Sequence, residues 1–141
     1  MSELLKKSAE NIQSASLLID NKLYAPSIHC SYYACFQKLK NLIAEAYHCD
    51  YTELDNELRD LNDKFRRKNE RVIATHEFYI GYKLDRLIRR EGADHRLINK
   101  LNDLKTYRNK SDYENIPVKP EISKNVFSLS QKVIQELNKL I

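Results

Sequence analysis

Apolar residues recur at steps of three and four along most of the chain, a spacing that places them on one face of an α-helix. The pattern predicts a first helix from about Ser2 to Ile19, with Ser2 as its N-cap. A second helix is predicted to begin near Tyr24 or Ala25, because Pro26 fits a first helical turn, where no backbone N–H is needed. The first third of the chain is therefore expected to form two consecutive helices.

The second predicted helix is apolar on more than one side. Its two stripes at helical spacing are Ile28, Tyr32, Cys35, Leu39, Leu42 and Ala46, and Ala25, His29, Phe36, Ile43 and Tyr47. A helix with a single neighbour needs only one such stripe. We therefore predict a central helix that several others cover.

Further helices are predicted in the rest of the chain. Thr52 is expected to open a third, peripheral helix with few apolar residues, and Thr75 to cap a fourth that ends at Gly92. A fifth follows, and Pro120 opens the last. The predicted fold is all-α, an up-and-down-type bundle of five to six helices.

The composition favours a single helical domain over residues 1–141. Only 2 Gly and 3 Pro are present, too few for the turns of a β-sandwich or barrel. No apolar run approaches the roughly 18 residues of a membrane span, and the N-terminus has no signal-peptide core. The 3 cysteines cannot all pair within one chain, which favours a reduced, cytoplasmic protein.

Positive charge is concentrated in the middle of the chain. The net charge is +4. Residues 59–71 hold six basic and three acidic side chains, and residues 83–110 hold nine basic and four acidic ones. Such a region attracts phosphates or an acidic partner. The alternative is that these charges only solvate helix surfaces.

The fifth predicted helix carries the most informative pattern. Its apolar stripe of Leu97, Leu101 and Leu104 continues, at steps of four, onto Arg108 and then Asp112. A buried guanidinium is costly unless it has a partner. Either the two residues form an ion pair that ends the helix, or Asp112 orients Arg108 for a phosphate or RNA.

Two segments together resemble the HEPN family (higher eukaryotes and prokaryotes nucleotide-binding). Residues 23–36, LYAPSIHCSYYACF, resemble its second helix, which typically shows a Tyr, then Ala, then Ser-Tyr-Tyr-Ala-x-Phe. Residues 104–113, LKTYRNKSDY, resemble its late helix, which ends in Arg, a polar residue and often Asp-Tyr. The similarity covers most of the chain, and the stretch at about 50–72 looks like an inserted helix.

The resemblance implies a HEPN-like helical bundle that commonly forms a homodimer. Many members are endoribonucleases of toxin–antitoxin, CRISPR or antiviral systems that need no metal or other cofactor. Small members are often encoded beside a minimal nucleotidyltransferase. The sequence therefore predicts a protein that binds RNA or nucleotides, either as a ribonuclease or as a non-catalytic module that docks such a partner.

The ribonuclease signature of the family is incomplete in this chain. The signature is an Arg followed by a polar residue and then by a His, with four to six residues between the Arg and the His. Arg108 and Asn109 match its start, but Tyr113, Glu114 and Asn115 occupy the three positions where the His should fall. Tyrosine, with a reference pKa of about 10, is a poor base near neutral pH. The family's cleavage chemistry therefore does not transfer directly to this chain.

Another histidine can supply the missing proton transfer if the fold brings it close. His29 is the first candidate, one turn before Tyr33 on the central helix, and His76 is the second. The alternative is that both are structural residues. The predicted catalytic residues are Arg108, Asn109, Asp112, Tyr113 and His29.

Basic and aromatic residues near these positions are predicted to contact RNA or a nucleotide. They are Tyr33, His76, Lys83, Arg86, Arg89 and Lys110. Tyr79 and Tyr82 are expected to be exposed and available for stacking. No metal site is predicted, because the Glu45-x-x-His48 spacing has no second copy.

Overall fold

The computed structural model describes residues 2–140, which form six helices and no strand. The helices are α1 (Glu3–Asp20), α2 (Tyr24–Ala46), α3 (Tyr51–Arg67), α4 (Thr75–Glu77, Phe78–Lys83 and Leu84–Glu91 in succession), α5 (Arg96–Tyr113) and α6 (Pro120–Asn138). The predicted all-α bundle is confirmed. Within residues 2–140, no helix is both long enough and apolar enough to cross a membrane.

The central helix is α2, as its two apolar stripes predict. It packs against α1, α4, α5 and α6. Tyr32, Cys35, Leu39 and Ile43 are fully buried along it. This placement brings α2 against both later helices that carry candidate site residues, α4 and α5.

Small side chains form the tightest part of the contact between α1 and α2. The buried residues of α1 are Ser8 and Ala15. Ser8 donates a hydrogen bond of 2.6 Å from its hydroxyl to the backbone carbonyl of Ala34. Since none of these side chains is large, the two helix axes can approach closely here.

Two of the predicted helix starts are wrong. Asp50, rather than Thr52, caps α3, and it forms a reciprocal capping box with Glu53. The N-cap of α4 is Ala74, so Thr75 is the first helical residue. In both cases the predicted capping residue lies within two residues of the observed N-cap. The local backbone conformation determines which residue is the N-cap.

The other predicted boundaries are confirmed. The Ser2 hydroxyl accepts a hydrogen bond from the backbone N–H of Leu5. Gly92 ends α4 in the left-handed conformation, with a φ of 66°. Pro120 is the first residue of α6.

The middle of α4 is π-helical over Phe78–Lys83. Phe78, Tyr79 and Ile80 are buried in succession there, so α4 is covered on more than one side. The expectation that Tyr79 is exposed is therefore wrong. Its ring packs in the core with the Lys40 ammonium 5.3 Å from its centroid.

Helix α3 lies at the periphery, and Leu54 is its one fully buried residue. Two polar contacts attach α3 to α4 and to the loop between α3 and α4. Glu57 pairs with the buried Lys83 at 3.0 Å, and the Asn62 amide exchanges two hydrogen bonds with the backbone of Ile73. That this helix is an insertion stays a prediction.

Candidate functional site

The apolar stripe of α5 ends in a buried arginine, as the sequence predicts. Leu97, Leu101, Leu104 and Arg108 are the buried residues of α5. Arg108 is only 8% exposed. The stripe therefore carries a guanidinium into the interior of the bundle rather than to its surface.

Arg108 lies against two tyrosines of α2. Its guanidinium carbon is 5.3 Å from the ring centroid of Tyr32 and 5.5 Å from that of Tyr33. These contacts are cation–π in character, and they stabilise the charge without using its N–H groups. The N–H donors therefore remain free for another partner.

The hydrogen-bonding capacity of Arg108 is largely unused. Its buried Nε has no hydrogen-bond partner within residues 2–140. Its Nη1 is 3.9 Å from Asp112 Oδ2, beyond hydrogen-bond distance. A buried guanidinium with unsatisfied donors is unfavourable on its own. The two Nη groups are not among the buried atoms that lack a partner within residues 2–140, so they are the donors open to an anion.

Asp112 makes its close contact with His29 instead. His29 Nδ1 lies 2.9 Å from Asp112 Oδ2, across 83 residues of sequence. The His29 side chain is 47% exposed. Because Nδ1 faces the carboxylate, Nε2 is the ring nitrogen left to exchange a proton with a ligand. Asp112 thus holds the imidazole beside Arg108.

Tyr33 packs between the two ends of the site. Its ring centroid is 4.6 Å from that of His29 and 6.0 Å from that of His76. Tyr33 is half-buried. The structure therefore brings Tyr33, His29, His76, Asp112 and Arg108 together, from three different helices.

The second histidine of the site, His76, is held more firmly than His29. Its Nδ1 is hydrogen-bonded to the hydroxyl of Tyr32. Its ring stacks on Phe36, with centroids 4.1 Å apart and planes within 4° of parallel. Stacking on one face and a hydrogen bond at one edge fix both the position and the rotation of the imidazole.

Three positive charges surround His76. Burial, as the largest cause, and the charges of Arg108, Lys105 and Lys40 together lower the pKa of His76 from 6.5 to about 4. His76 is therefore neutral at pH 7. Sequence reasoning missed Lys105 and Lys40. The position of Lys105, three residues before Arg108, was the available signal for one of them.

Asn109, Lys110 and Tyr113 lie outside this cluster. All three are exposed, and Tyr113 is 77% exposed at the end of α5. Lys110 borders an open groove of about 370 Å³ between α5, the following loop and α6. Their contacts with a ligand stay a prediction.

Lys83 does not join the site, contrary to the sequence prediction. Its side chain is 7% exposed and its ammonium is 3.0 Å from Glu57. The same ammonium lies 4.1 Å from the ring centroid of Tyr47. A buried, paired lysine in this position anchors α3 to α4 and is not available to a surface ligand.

Arg86 and Arg89 are exposed but also lie away from the cluster. They follow His76 by ten and thirteen residues, which is about 15 and 20 Å along a helix axis. Arg86 stacks on Tyr82 at 4.2 Å, and Arg89 pairs with Asp85 at 3.0 Å. A short ligand bound at Arg108 would not reach them.

Within residues 2–140, no group of three or more His, Cys, Asp or Glu side chains is arranged to hold a metal ion. The sequence matches no family model, and no curated protein matches it. Membership of the HEPN family therefore stays a prediction that rests on residues 23–36 and 104–113.

Proposed function

We propose that the chain binds RNA or nucleotides through a phosphate at Arg108, and that His29 and Asp112 cleave bound RNA without a metal ion. One observation carries the proposal. A buried guanidinium, whose Nε has no hydrogen-bond partner within residues 2–140, lies beside a histidine that an aspartate holds at 2.9 Å. This arrangement combines an anion-binding group with an imidazole that can accept and donate protons.

Positive charge and an aromatic ring beside Arg108 support the proposed binding. A phosphate oxygen would accept hydrogen bonds from Arg108, whose planar fork suits a phosphate. Lys105 and Lys40 add positive charge nearby, which raises the local concentration of a polyanion. The half-buried ring of Tyr33 offers a face on which a base can stack.

Cleavage would use the 2′-hydroxyl of the RNA as the nucleophile. His29 Nε2 takes the proton of that hydroxyl as its oxygen attacks phosphorus, and Asp112 stabilises the resulting imidazolium. Arg108 stabilises the negative charge of the phosphorane. The bond to the 5′-oxygen breaks, and that oxygen leaves with a proton from water or from His29. The products carry a 2′,3′-cyclic phosphate and a 5′-hydroxyl.

The biological setting in the proposal rests on the HEPN resemblance. It is a homodimer in a cytoplasmic toxin–antitoxin or antiviral defence system. Two large apolar side chains near the turn between α1 and α2, Leu17 and Leu23, are 55% and 51% exposed. Exposed apolar residues of this size are what a subunit interface would cover.

A second candidate function is favoured by the groove beside α5. Its walls are largely apolar, from Ile28, Tyr107, Ile116 and Val118, and Ile116 is 66% exposed. Lys110, Lys119 and Glu114 border it, so the charged side chains at its rim sum to +1. These features fit an apolar segment with acidic flanks on a partner such as a nucleotidyltransferase, docked by a non-catalytic module.

Binding of an uncleavable 2′-O-methyl RNA oligonucleotide, followed by fluorescence anisotropy, tests the proposal. Arg108→Gln should lose about tenfold or more in affinity, because it removes hydrogen bonds to a charged group. Arg89→Gln, at an exposed arginine outside the cluster, is the matched control and should bind like the wild type. Circular dichroism establishes that each variant is folded.

Two outcomes separate the candidates. Unchanged affinity in folded Arg108→Gln and Arg108→Lys variants would make Arg108 purely structural and end the proposal. A docking module would instead associate with its partner in a salt-sensitive way and leave RNA without new ends.

A further inference from the structure

We propose that His76 is a neutral hydrogen-bond donor to the bound RNA, through its Nε2–H, and acts separately from the proton transfer at His29. The inference rests on the proposed RNA site. It assigns different tasks to the two histidines that lie near Tyr33.

The tautomer of His76 follows from its contact with Tyr32. The Tyr32 ring is fully buried, and its hydroxyl makes its hydrogen bond to His76 Nδ1. A phenol is a stronger acid than a neutral imidazole N–H, so the hydroxyl donates and Nδ1 accepts. An accepting Nδ1 carries no proton. The ring proton of a neutral His76 is therefore on Nε2.

His76 Nε2 is free to meet a ligand. It makes no hydrogen bond within residues 2–140, and it is not among the buried polar atoms that lack a partner there. The nitrogen therefore retains contact with solvent. With Nδ1 held by Tyr32 and the ring face held by Phe36, Nε2 is the one polar position of the ring that remains for RNA.

The surroundings keep the donor uncharged. Burial is the largest cause of the lowered pKa of His76, and the charges of Arg108, Lys105 and Lys40 act in the same direction. Together they lower this pKa to about 4. The nearby carboxylate, Glu77, is engaged with Arg71 at 2.6 Å. His76 thus adds a directed N–H to a strongly positive site without adding charge that would repel its neighbours.

Nitrogen-15 NMR of the full chain tests the tautomer directly. Two-bond ¹H–¹⁵N spectra are recorded from about pH 5.5 to 8, with and without the 2′-O-methyl RNA oligonucleotide. We expect one neutral Nε2–H form of His76 throughout, and a shift of its Nε2 resonance when RNA binds. A protonated ring, an Nδ1–H form or an unmoved Nε2 resonance would overturn the inference.

Three histidine variants measure the donor by RNA affinity. His76→Phe keeps the stack on Phe36 but removes the donor, and it should weaken binding about three- to tenfold, the effect of one hydrogen bond. His76→Gln retains an N–H donor and should bind within about twofold of the wild type. His95→Phe, at an exposed histidine outside the cluster, is the matched control and should change nothing.

The outcomes distinguish this inference from the function on which it rests. If His76→Phe binds like the wild type while Arg108→Gln loses affinity, His76 makes no contact and the RNA site stands. If Arg108→Gln also binds like the wild type, the RNA site itself is wrong. If His76→Phe does not fold, the NMR result on the wild-type chain decides.

Discussion

Asp112 lies near the two groups to which the proposed function assigns proton transfer and phosphate binding. It is 2.9 Å from the His29 imidazole and 3.9 Å from the Arg108 guanidinium. The carboxylate is within hydrogen-bond distance of the histidine, and it forms only a longer ion pair with the arginine. At the scale of the residue, this division leaves Arg108 available for a phosphate.

Replacing the Asp112 carboxylate is expected to slow RNA cleavage without weakening RNA binding. We expect Asp112→Asn to slow RNA cleavage by about tenfold or more, because a neutral amide cannot stabilise the imidazolium of His29. Affinity for uncleavable RNA should be unchanged or slightly higher, since a negative charge near the phosphate is removed. Cleavage rates and anisotropy measure the two effects. The control is Asp103→Asn, an exposed position on the same helix. An equal loss of rate and affinity would contradict the assignment.

His76 also makes the stability of the fold depend on pH. Its pKa is about 4 in the folded chain against an ordinary 6.5, so the unfolded chain binds more protons between these values. Stability is therefore retained above about pH 6.5 and is lost as the pH falls towards 4. Urea unfolding of the wild type and of His76→Phe between about pH 4 and 6.5 measures this pH dependence of the unfolding free energy. A variant with the same pH slope as the wild type would contradict the expectation.

At the scale of the element, α3 positions the start of α4. The Asn62 side chain donates to the Ile73 carbonyl at 3.0 Å and accepts from the Ile73 N–H at 2.9 Å. Ile73 lies three residues before His76. The peripheral helix therefore contributes to the site indirectly, by fixing the loop that leads into it.

Loss of that contact should loosen the loop. We expect Asn62→Ala to destabilise the fold by about 1–2 kcal/mol, since two hydrogen bonds are lost at a half-buried position. Amide exchange at Ile73 and its neighbours should accelerate. Asn56→Ala, at an exposed position on the same helix, should have neither effect. Equal exchange rates in the two variants would show that the contact does not hold the loop.

The α1–α2 contact requires small residues. Ala15 of α1 is fully buried, so Ala15→Leu should cost about 1–3 kcal/mol of unfolding free energy by overpacking. Ala9→Leu, on the exposed side of α1, should change stability by less than about 0.5 kcal/mol. Urea unfolding of both variants compares them. A tolerated leucine at position 15 would show that the helices are not closely packed there.

At the scale of the whole molecule, periodicity predicted the bundle and the central helix, because burial of apolar faces dominates both. It also predicted that the α5 stripe ends in Arg108. It could not predict the contact between His29 and Asp112, which lie 83 residues apart and meet only through the fold. Lys83 was misassigned because a basic residue in a charged helix gives no local sign of burial.

The distribution of charge also depends on the fold in a way that the sequence does not predict. The basic stretch at 83–110 divides between two regions of the folded chain. Arg108 and Lys105 lie near His76, while Arg86 and Arg90 lie near Tyr47, beyond the end of α2. Charge along the sequence therefore did not predict which basic side chains would lie together in the fold.

Metal-free RNA cleavage tests the central claim most directly. With EDTA present, the wild-type chain should produce ends with 2′,3′-cyclic phosphates. His29→Asn should cleave about 10² to 10⁴ times more slowly while it binds uncleavable RNA like the wild type, and His95→Asn is the matched control. Undiminished cleavage by His29→Asn, or RNA binding by the wild type without any cleavage, would contradict the account.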